Sequence, residues 1–232
     1  MGVVRYDRFM TEYLKVVFVP GLLPDKWFRR FDERHGGAPR GMTKPSESRE
    51  EQKSHRDPRS ERPVRIASAP ADHPLPYVLR GKADVAFVRM DNRGREGVVK
   101  DAEASGQSIH LIELYEEQPG VAVPKDNPIA LFPQVSSHEL EDEKIMWSPK
   151  PPHYRVEIAD VRAALEVVSA NVGVVIAPRP LLRVINKRGV KDVALSDGRP
   201  TRLAMVWLQS RDNRDIQNLV GIVRGRTARS SR

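Results

Sequence analysis

The sequence predicts an α/β fold with largely parallel sheets. Short runs of β-branched residues recur along the chain, and segments in which apolar residues have helical spacing separate them. The first such run, KVVFV at 15–19, is apolar almost without interruption. Continuous apolar runs are typical of strands that are buried on both faces, as the strands of parallel sheets are.

A predicted helix follows this first strand directly. Leu23, Trp27 and Phe31 lie one turn apart in it, and Phe28 lies beside them on the same apolar stripe. Further strands are predicted at 64–69, 83–90, 109–117, 119–124, 144–147, 172–178, 191–197 and 203–209. Further helices are predicted near 73–81, within 136–142, over 157–171 and over 215–225.

The length and composition narrow the class of protein. A chain of 232 residues accommodates one domain or two small lobes. The absence of cysteine excludes disulfides, thiolate metal sites and cysteine nucleophiles. No stretch approaches the ~20 apolar residues that span a bilayer, and the N-terminal segment lacks the apolar region of a signal peptide. The sequence therefore predicts a cytoplasmic protein.

Most of the formal net charge of +8 lies in two segments. Residues 36–63 hold seven Lys and Arg against five Asp and Glu, and residues 211–232 hold six Arg against two Asp. Because 36–63 contains no aromatic residue, we predict a disordered insert there, and a disordered basic tail at 227–232. Non-specific nucleic-acid binding through insert and tail is the alternative function, although the tail has no aromatic residues to stack on bases.

Patterns typical of enzymes and metal sites are missing from the sequence. It contains no glycine-rich nucleotide-binding loop, no nucleophile elbow and no His-Glu-x-x-His motif, and its six histidines are scattered. Glu116 and Glu117 are adjacent, but neighbouring strand residues point to opposite faces, so we interpret them as a surface pair. The sequence predicts a protein that is not an enzyme and carries no cofactor or metal.

The start of the first helix is a candidate anion site. Pro24 suits a first helical position, because its missing N–H would have no partner there. The side chain of Leu23 cannot cap the free N–H groups at 22–23, so a ligand carboxylate or water would do so, at the sheet edge where α/β folds bind ligands. Capping by a neighbouring loop or by solvent is the other interpretation.

Arg89 lies near the end of the predicted strand ADVAFVRM, in which the other residues from 85 to 90 are apolar. A guanidinium at the end of a buried strand needs an anionic partner or water, and it can grip a carboxylate with two hydrogen bonds. A ligand carboxylate and a structural ion pair are both compatible with this position.

Four stretches in order resemble one family: LKVVFVPGLLPDKWFRRFDERH, LRGKADVAFVR, LYEEQPGVAVPKDNPIA and VRAALEVVSANVGVVIAP. They are similar to the effector-binding domain of LysR-type transcriptional regulators. That resemblance implies a two-lobed fold like that of type 2 periplasmic binding proteins, with two crossing strands and an interlobe cleft. It implies lobe one at 14–90 plus 206–226 and lobe two at 91–205, with crossings near 89–91 and 204–207.

The resemblance also implies ligand contacts from the loops that face the cleft. In this sequence they are Gly21, Leu22, Leu23, Ser68, Ala69, Arg89, Trp147 and Ser148. The proposed roles are an anion held by the N–H groups at 22–23 and by Arg89, hydroxyls from Ser68 and Ser148, and an apolar wall from Trp147. Many family members carry a Ser or Thr in the first loop, where this chain has Leu22 and Leu23.

Regulators of this family carry a helix-turn-helix ahead of the domain, and about thirteen residues precede the first strand here. We therefore expect a stand-alone effector-binding domain that binds a small, carboxylated metabolite between its lobes and acts on transcription indirectly. The family implies a homodimer, and mixed pairing with a full-length LysR-type regulator is a further hypothesis. Specific DNA binding and membrane association are not expected.

Overall fold

The computed structural model describes residues 12–36 and 63–225. The predicted insert, apart from Gly36 and Pro63, and the predicted basic tail lie outside the described residues. The described strands are β1 Glu12–Phe18, β2 Val64–Pro70, β3 Val85–Arg89, β4 Ile109–Glu117, β5 Pro119–Pro124, β6 Gln134–Val135, β7 Ile145–Trp147, β8 Val174–Pro178, β9 Val190–Leu195 and β10 Thr201–Leu208. The described α-helices are α1 Asp25–His35, α2 Leu75–Leu79, α3 Gly94–Glu103, α4 Ile158–Ser169, α5 Arg179–Val184 and α6 Arg214–Val223.

The strands form two five-stranded sheets, with the orders β2-β1-β3-β10-β4 and β6-β9-β5-β8-β7. In the first sheet, β1 runs parallel to β2 and β3, whereas β10 runs antiparallel to β3 and β4. In the second, β5 runs antiparallel to β8 and β9, and β6 and β7 pair in parallel. The predicted α/β class with two lobes is confirmed, but both sheets are mixed rather than largely parallel.

The antiparallel strands follow from the way the chain passes between the sheets. It leaves the first sheet along β4, turns at Gln118 into β5, and returns through the segment between β9 and β10. A strand that leaves a sheet and one that returns over the same edge must run in opposite directions.

These connections also differ from the predicted lobe boundaries. The prediction assigned 91–205 to lobe two, yet α3, β4 and the first half of β10 belong with the first sheet. The chain changes sheets at residue 118 and again between residues 195 and 201. The local sequence of a strand does not specify which sheet it joins, so the prediction followed the family outline and misplaced both crossings.

Each face of the first sheet carries its own apolar cluster. On one face, Phe31 of α1 and Ile216 of α6 are fully buried, and Trp27 stacks on Phe87 with 5.6 Å between ring centroids. On the other face, α2 and α3 cover the sheet and bury Val78 and Ala102. The stripe predicted for α1 is therefore correct except at Leu23, which lies before the helix and is 74% exposed.

The sequence analysis missed two helices and overestimated a third. Five of the ten residues of α3 are charged and two are glycines, so the apolar spacing is weak. The six residues of α5 follow β8 without a loop. The helix predicted within 136–142 is only a 3₁₀ turn at His138–Leu140. Among the helices in the described part of the chain, none has the length and apolar character needed to cross a membrane.

Candidate functional site

We call residues 119–195, which contain the second sheet with α4 and α5, the second-sheet part of the chain, and the other described residues the first-sheet part. The loop after β1 packs against α5 of the second-sheet part. Gly21 has φ +98°, and a Cβ atom there would lie 2.8 Å from the backbone nitrogen of Leu181 in α5. Leu22 is buried, and its N–H donates to the carbonyl of Val19 at 3.3 Å. The N–H groups of Trp27 and Phe28 donate to the Pro24 carbonyl, and no side chain caps the helix. The last two bonds are the first hydrogen bonds of the helix itself, so of the predicted anion-binding N–H groups it is that of Leu22 that has a backbone acceptor.

The other predicted loop residues do not line the cavity described below. Ser68 and Ala69 are exposed on β2, an edge strand of the first sheet. Trp147 and Ser148 are half-buried at the edge of the second sheet, where Trp147 packs against α4 and its apolar cluster.

Arg89 forms a buried ion pair with Glu117. The Nε of Arg89 donates to Glu117 Oε2 at 2.6 Å, and its Nη2 donates to Oε1 at 3.0 Å. Nη2 also donates to the carbonyl of Pro20 at 3.0 Å. Only 4% of the Arg89 side chain and none of the Glu117 side chain is exposed. Of the two interpretations that the sequence left open, the structure therefore shows the ion pair.

A β-bulge brings Glu117 to this position. Arg202 pairs with Glu116 and Ala204 with Glu113, so a step of two residues along β10 matches a step of three along β4. The extra residue in β4 changes which face the later side chains occupy. Glu116 is exposed and bonds Arg202 at 2.9 Å, whereas Glu117 turns inward. The two carboxylates do point to opposite faces, but the interpretation of both as surface residues is wrong for Glu117.

A cavity of about 310 Å³ adjoins Arg89. The first-sheet part of the chain contributes α2, α3 and the end of β3, and the second-sheet part contributes the segment that leads into α4. The apolar wall consists of Val19, Pro74, Leu75, Pro76, Leu79, Val88, Met90, Val98, Val156 and Ile158. The polar lining consists of Asp72, His73, Arg89, Asp91, Arg93, Asp101, Ser105 and Arg155. Of the site residues predicted from sequence, Arg89 alone lines this cavity.

Four charged side chains form a network at one end of the cavity. The guanidinium of Arg93 donates to Asp91 through Nε and Nη2 and to Asp101 through Nη1 and Nη2, all at 2.8–3.2 Å. Arg155 approaches the same two carboxylates more loosely, at 3.5 and 3.6 Å. Burial alone would raise the pKa of Asp91, but hydrogen bonds from Arg93 and the charges of Arg93 and Arg155 hold it below its ordinary value. Asp91 is therefore ionised at neutral pH.

Polar contacts join the two parts of the chain around the cavity. Arg162 of α4 donates to Asp72 at 2.7 and 3.2 Å, and His73 lies 3.7 Å from Glu157. Asn92 bonds backbone groups on the other side, because its N–H donates to the carbonyl at residue 153 and its side chain to the carbonyl at residue 152. The cavity thus lies where residues from the two sheets meet, and two of its lining residues, Asp72 and His73, contact charged side chains of the segment at 157–162.

Comparison with known proteins places this architecture in a family. A family model described as the LysR substrate binding domain matches residues 61–228. The chain belongs to the LysR substrate-binding domain family. The curated proteins gave no match to the sequence. The predicted resemblance to LysR effector domains and to the type 2 periplasmic-binding-protein-like fold is confirmed.

Solved structures of this family share the fold. The effector-binding domain of BenM, determined with its effector benzoate, superposes with a TM-score of 0.60 at 16% identity, over 94% of this chain and 93% of that one. The reduced form of OxyR gives 0.56 at 15% identity, over 97% and 100%. Full-length CbnR in complex with its target DNA gives 0.58 at 13% identity, over 93% of this chain and 70% of that one.

The family match begins at residue 61, after β1 and α1, yet the structure pairs β1 between β2 and β3 as an interior strand of the first sheet. In this LysR substrate-binding domain, the sequence reasoning missed most of the charged lining of the cavity. One signal was available: four charged residues in DNRGRE (91–96) directly follow a buried strand. Within the described ranges, no group of three or more His, Asp or Glu side chains could hold a metal ion.

Proposed function

We propose that this LysR substrate-binding domain senses a small molecule that binds in the cavity beside Arg89. The observation that supports this proposal is the position of the cavity. Residues from the first-sheet and the second-sheet part of the chain both line it, so a bound molecule contacts both. A ligand with different affinities for two arrangements of these parts shifts the population between them. Such a domain would regulate transcription by changing how its two parts are arranged, and not by catalysing a reaction.

The sequence predicted a carboxylated ligand, held by the N–H groups at 22–23 and by Arg89. The benzoate bound to the BenM domain supports an organic acid by analogy. Against it, the guanidinium of Arg89 already binds the carboxylate of Glu117 through two hydrogen bonds. The proposal therefore concerns the cavity and does not specify the charge of the ligand.

The proposal is tested by filling the cavity. Leu75 lines it from α2, whereas Tyr77 on the same helix does not and is 44% exposed. A library of small metabolites is screened by thermal shift, and hits are measured by calorimetry on the wild type, Leu75→Trp and Tyr77→Trp. We expect Leu75→Trp to lose binding by more than about tenfold, while Tyr77→Trp binds as the wild type does. Hits that bind equally to all three proteins would exclude this cavity as the sensor site.

A further inference from the structure

We infer that this cavity takes an uncharged molecule with an apolar body, rather than an organic acid or an amine. The inference rests on the proposed function, because it concerns the ligand of the same cavity. Its basis is the state of the charged groups in the wall: three arginines and three aspartates line the cavity, and each of them already has a partner of opposite charge.

The arginines are not free to bind an anion. Arg89 is held by Glu117, whose side chain is entirely buried. Arg93 is held by Asp91 and Asp101, and Asp91 retains only 6% exposure of its side chain. A ligand carboxylate that captured either guanidinium would leave a buried carboxylate without its counterion, which is strongly unfavourable. Arg155 is the most exposed of the three, but its neighbours in the wall are the same two aspartates.

The aspartates are equally engaged, so an amine has no free anion to bind. Asp72 accepts two hydrogen bonds from Arg162, and Asp91 and Asp101 accept from Arg93. The hydrogen bonds and charge of Arg93 also hold the pKa of Asp91 low, which keeps this pairing in place at neutral pH. A cation in the cavity would therefore compete with an arginine for each carboxylate, again at the cost of an unpaired charge.

An uncharged ligand meets no such cost. Its apolar body would contact the side chains of Leu75, Val88 and Val156, which lose contact with water when it binds. Its polar group has two partners in the wall. The hydroxyl of Ser105 donates to the carbonyl of Asp101 at 3.2 Å, so its oxygen can still accept, and His73 offers a largely exposed imidazole.

Two matched series of probes test the charge directly. Benzamide, benzoate and benzamidine share one planar shape with charges of zero, minus one and plus one, and the three 2-naphthyl analogues repeat the comparison at larger size. Dissociation constants are measured by calorimetry at pH 7 on the wild type, Leu75→Trp and Tyr77→Trp. We expect the amide to bind at least about tenfold more tightly than the acid or the amidine in the series that fits.

A second variant asks whether the wall charge sets this preference. Asp101 is partly exposed and Asn has nearly the same shape, so Asp101→Asn removes one negative charge without creating a cavity in the core. We expect the acid to gain affinity relative to the amide in this variant, because the arginines then outnumber the aspartates.

The outcomes separate the two proposals. An acid or amidine that binds as tightly as the amide, and is lost in Leu75→Trp, overturns the inference and leaves the proposed function intact. An unchanged acid-to-amide ratio in Asp101→Asn also counts against the inference. Binding that survives Leu75→Trp contradicts the proposed function and the inference together. No binding in either series overturns the inference alone, because the library screen tests the proposed function separately.

Discussion

Removing the charge of Glu117 should destabilise the first-sheet part of the chain strongly. Glu117→Gln leaves Arg89, only 4% exposed, without its counterion beneath the loop after β1. Breaking a buried ion pair by removing one partner costs about 3–5 kcal/mol. For a chain of this size, about 1 kcal/mol shifts the midpoint of thermal unfolding by roughly 2–4 °C, so the expected loss is about 6–20 °C.

The chain supplies a matched control at the next position. Glu116 bonds Arg202, but both side chains are about half exposed. Exposed pairs contribute about 0–1 kcal/mol, so Glu116→Gln should lower stability by less than about 1 kcal/mol. Unfolding in urea is followed by tryptophan fluorescence, because Trp27 and Trp207 both pack in the core of the first sheet. Equal losses in the two variants would refute the assignment of Arg89 to a structural pair.

A double variant isolates the pair from the shape of the side chains. Replacing a buried ion pair by apolar residues of similar volume is often neutral. Arg89→Met combined with Glu117→Leu should therefore lose less stability than Glu117→Gln alone. If the double variant loses the sum of the losses measured for Arg89→Met and Glu117→Leu separately, the two side chains do not interact.

Three further predictions follow from other contacts. Gly94 has φ +60° and open space around it, so Gly94→Ala should lower the free energy of unfolding by about 1–2 kcal/mol. Gly21→Ala should lower it more, because the added Cβ meets the backbone of Leu181. Equal losses in urea unfolding would contradict that contact. Because the pKa of Asp91 is held below its ordinary value of 3.8, Asp91 stabilises the fold above that pH, and the advantage disappears as pH falls through the lowered value. The gap in stability between wild type and Asp91→Asn, measured in urea from pH 7 to pH 2, should be constant to about pH 5 and then close. Phe31→Ala should cost about 3–5 kcal/mol, since Phe31 is fully buried, and a loss under about 1 kcal/mol would contradict the packing of α1.

Most helices and strands could be predicted from the sequence, because each depends on the local spacing of apolar residues. The apolar runs located nine of the ten strands, and the stripe of Phe28 and Phe31 located α1. The relation between the sheets was not readable in this way. Whether β4 joins the first sheet or the second depends on partners far away in sequence, which no local pattern encodes.

The candidate site was less predictable for the same reason. Arg89 was identified because a charge at the end of a buried strand is locally unusual. Its partner Glu117 was misassigned, because alternation along β4 is broken by a bulge that only the pairing with β10 reveals. The lining from α2, α3 and Arg155 is assembled from three separate segments. Tertiary pairing therefore defines the cavity, and the sequence gives only its individual charged residues.

The most direct measurement is a crystal structure of the protein with the best-binding probe of the two series. We predict that the probe lies between α2, α3 and Arg155, with contacts to both parts of the chain and with the Arg89–Glu117 pair intact. A probe bound elsewhere, for example at the loop formed by Gly21, Leu22 and Leu23, would contradict the account.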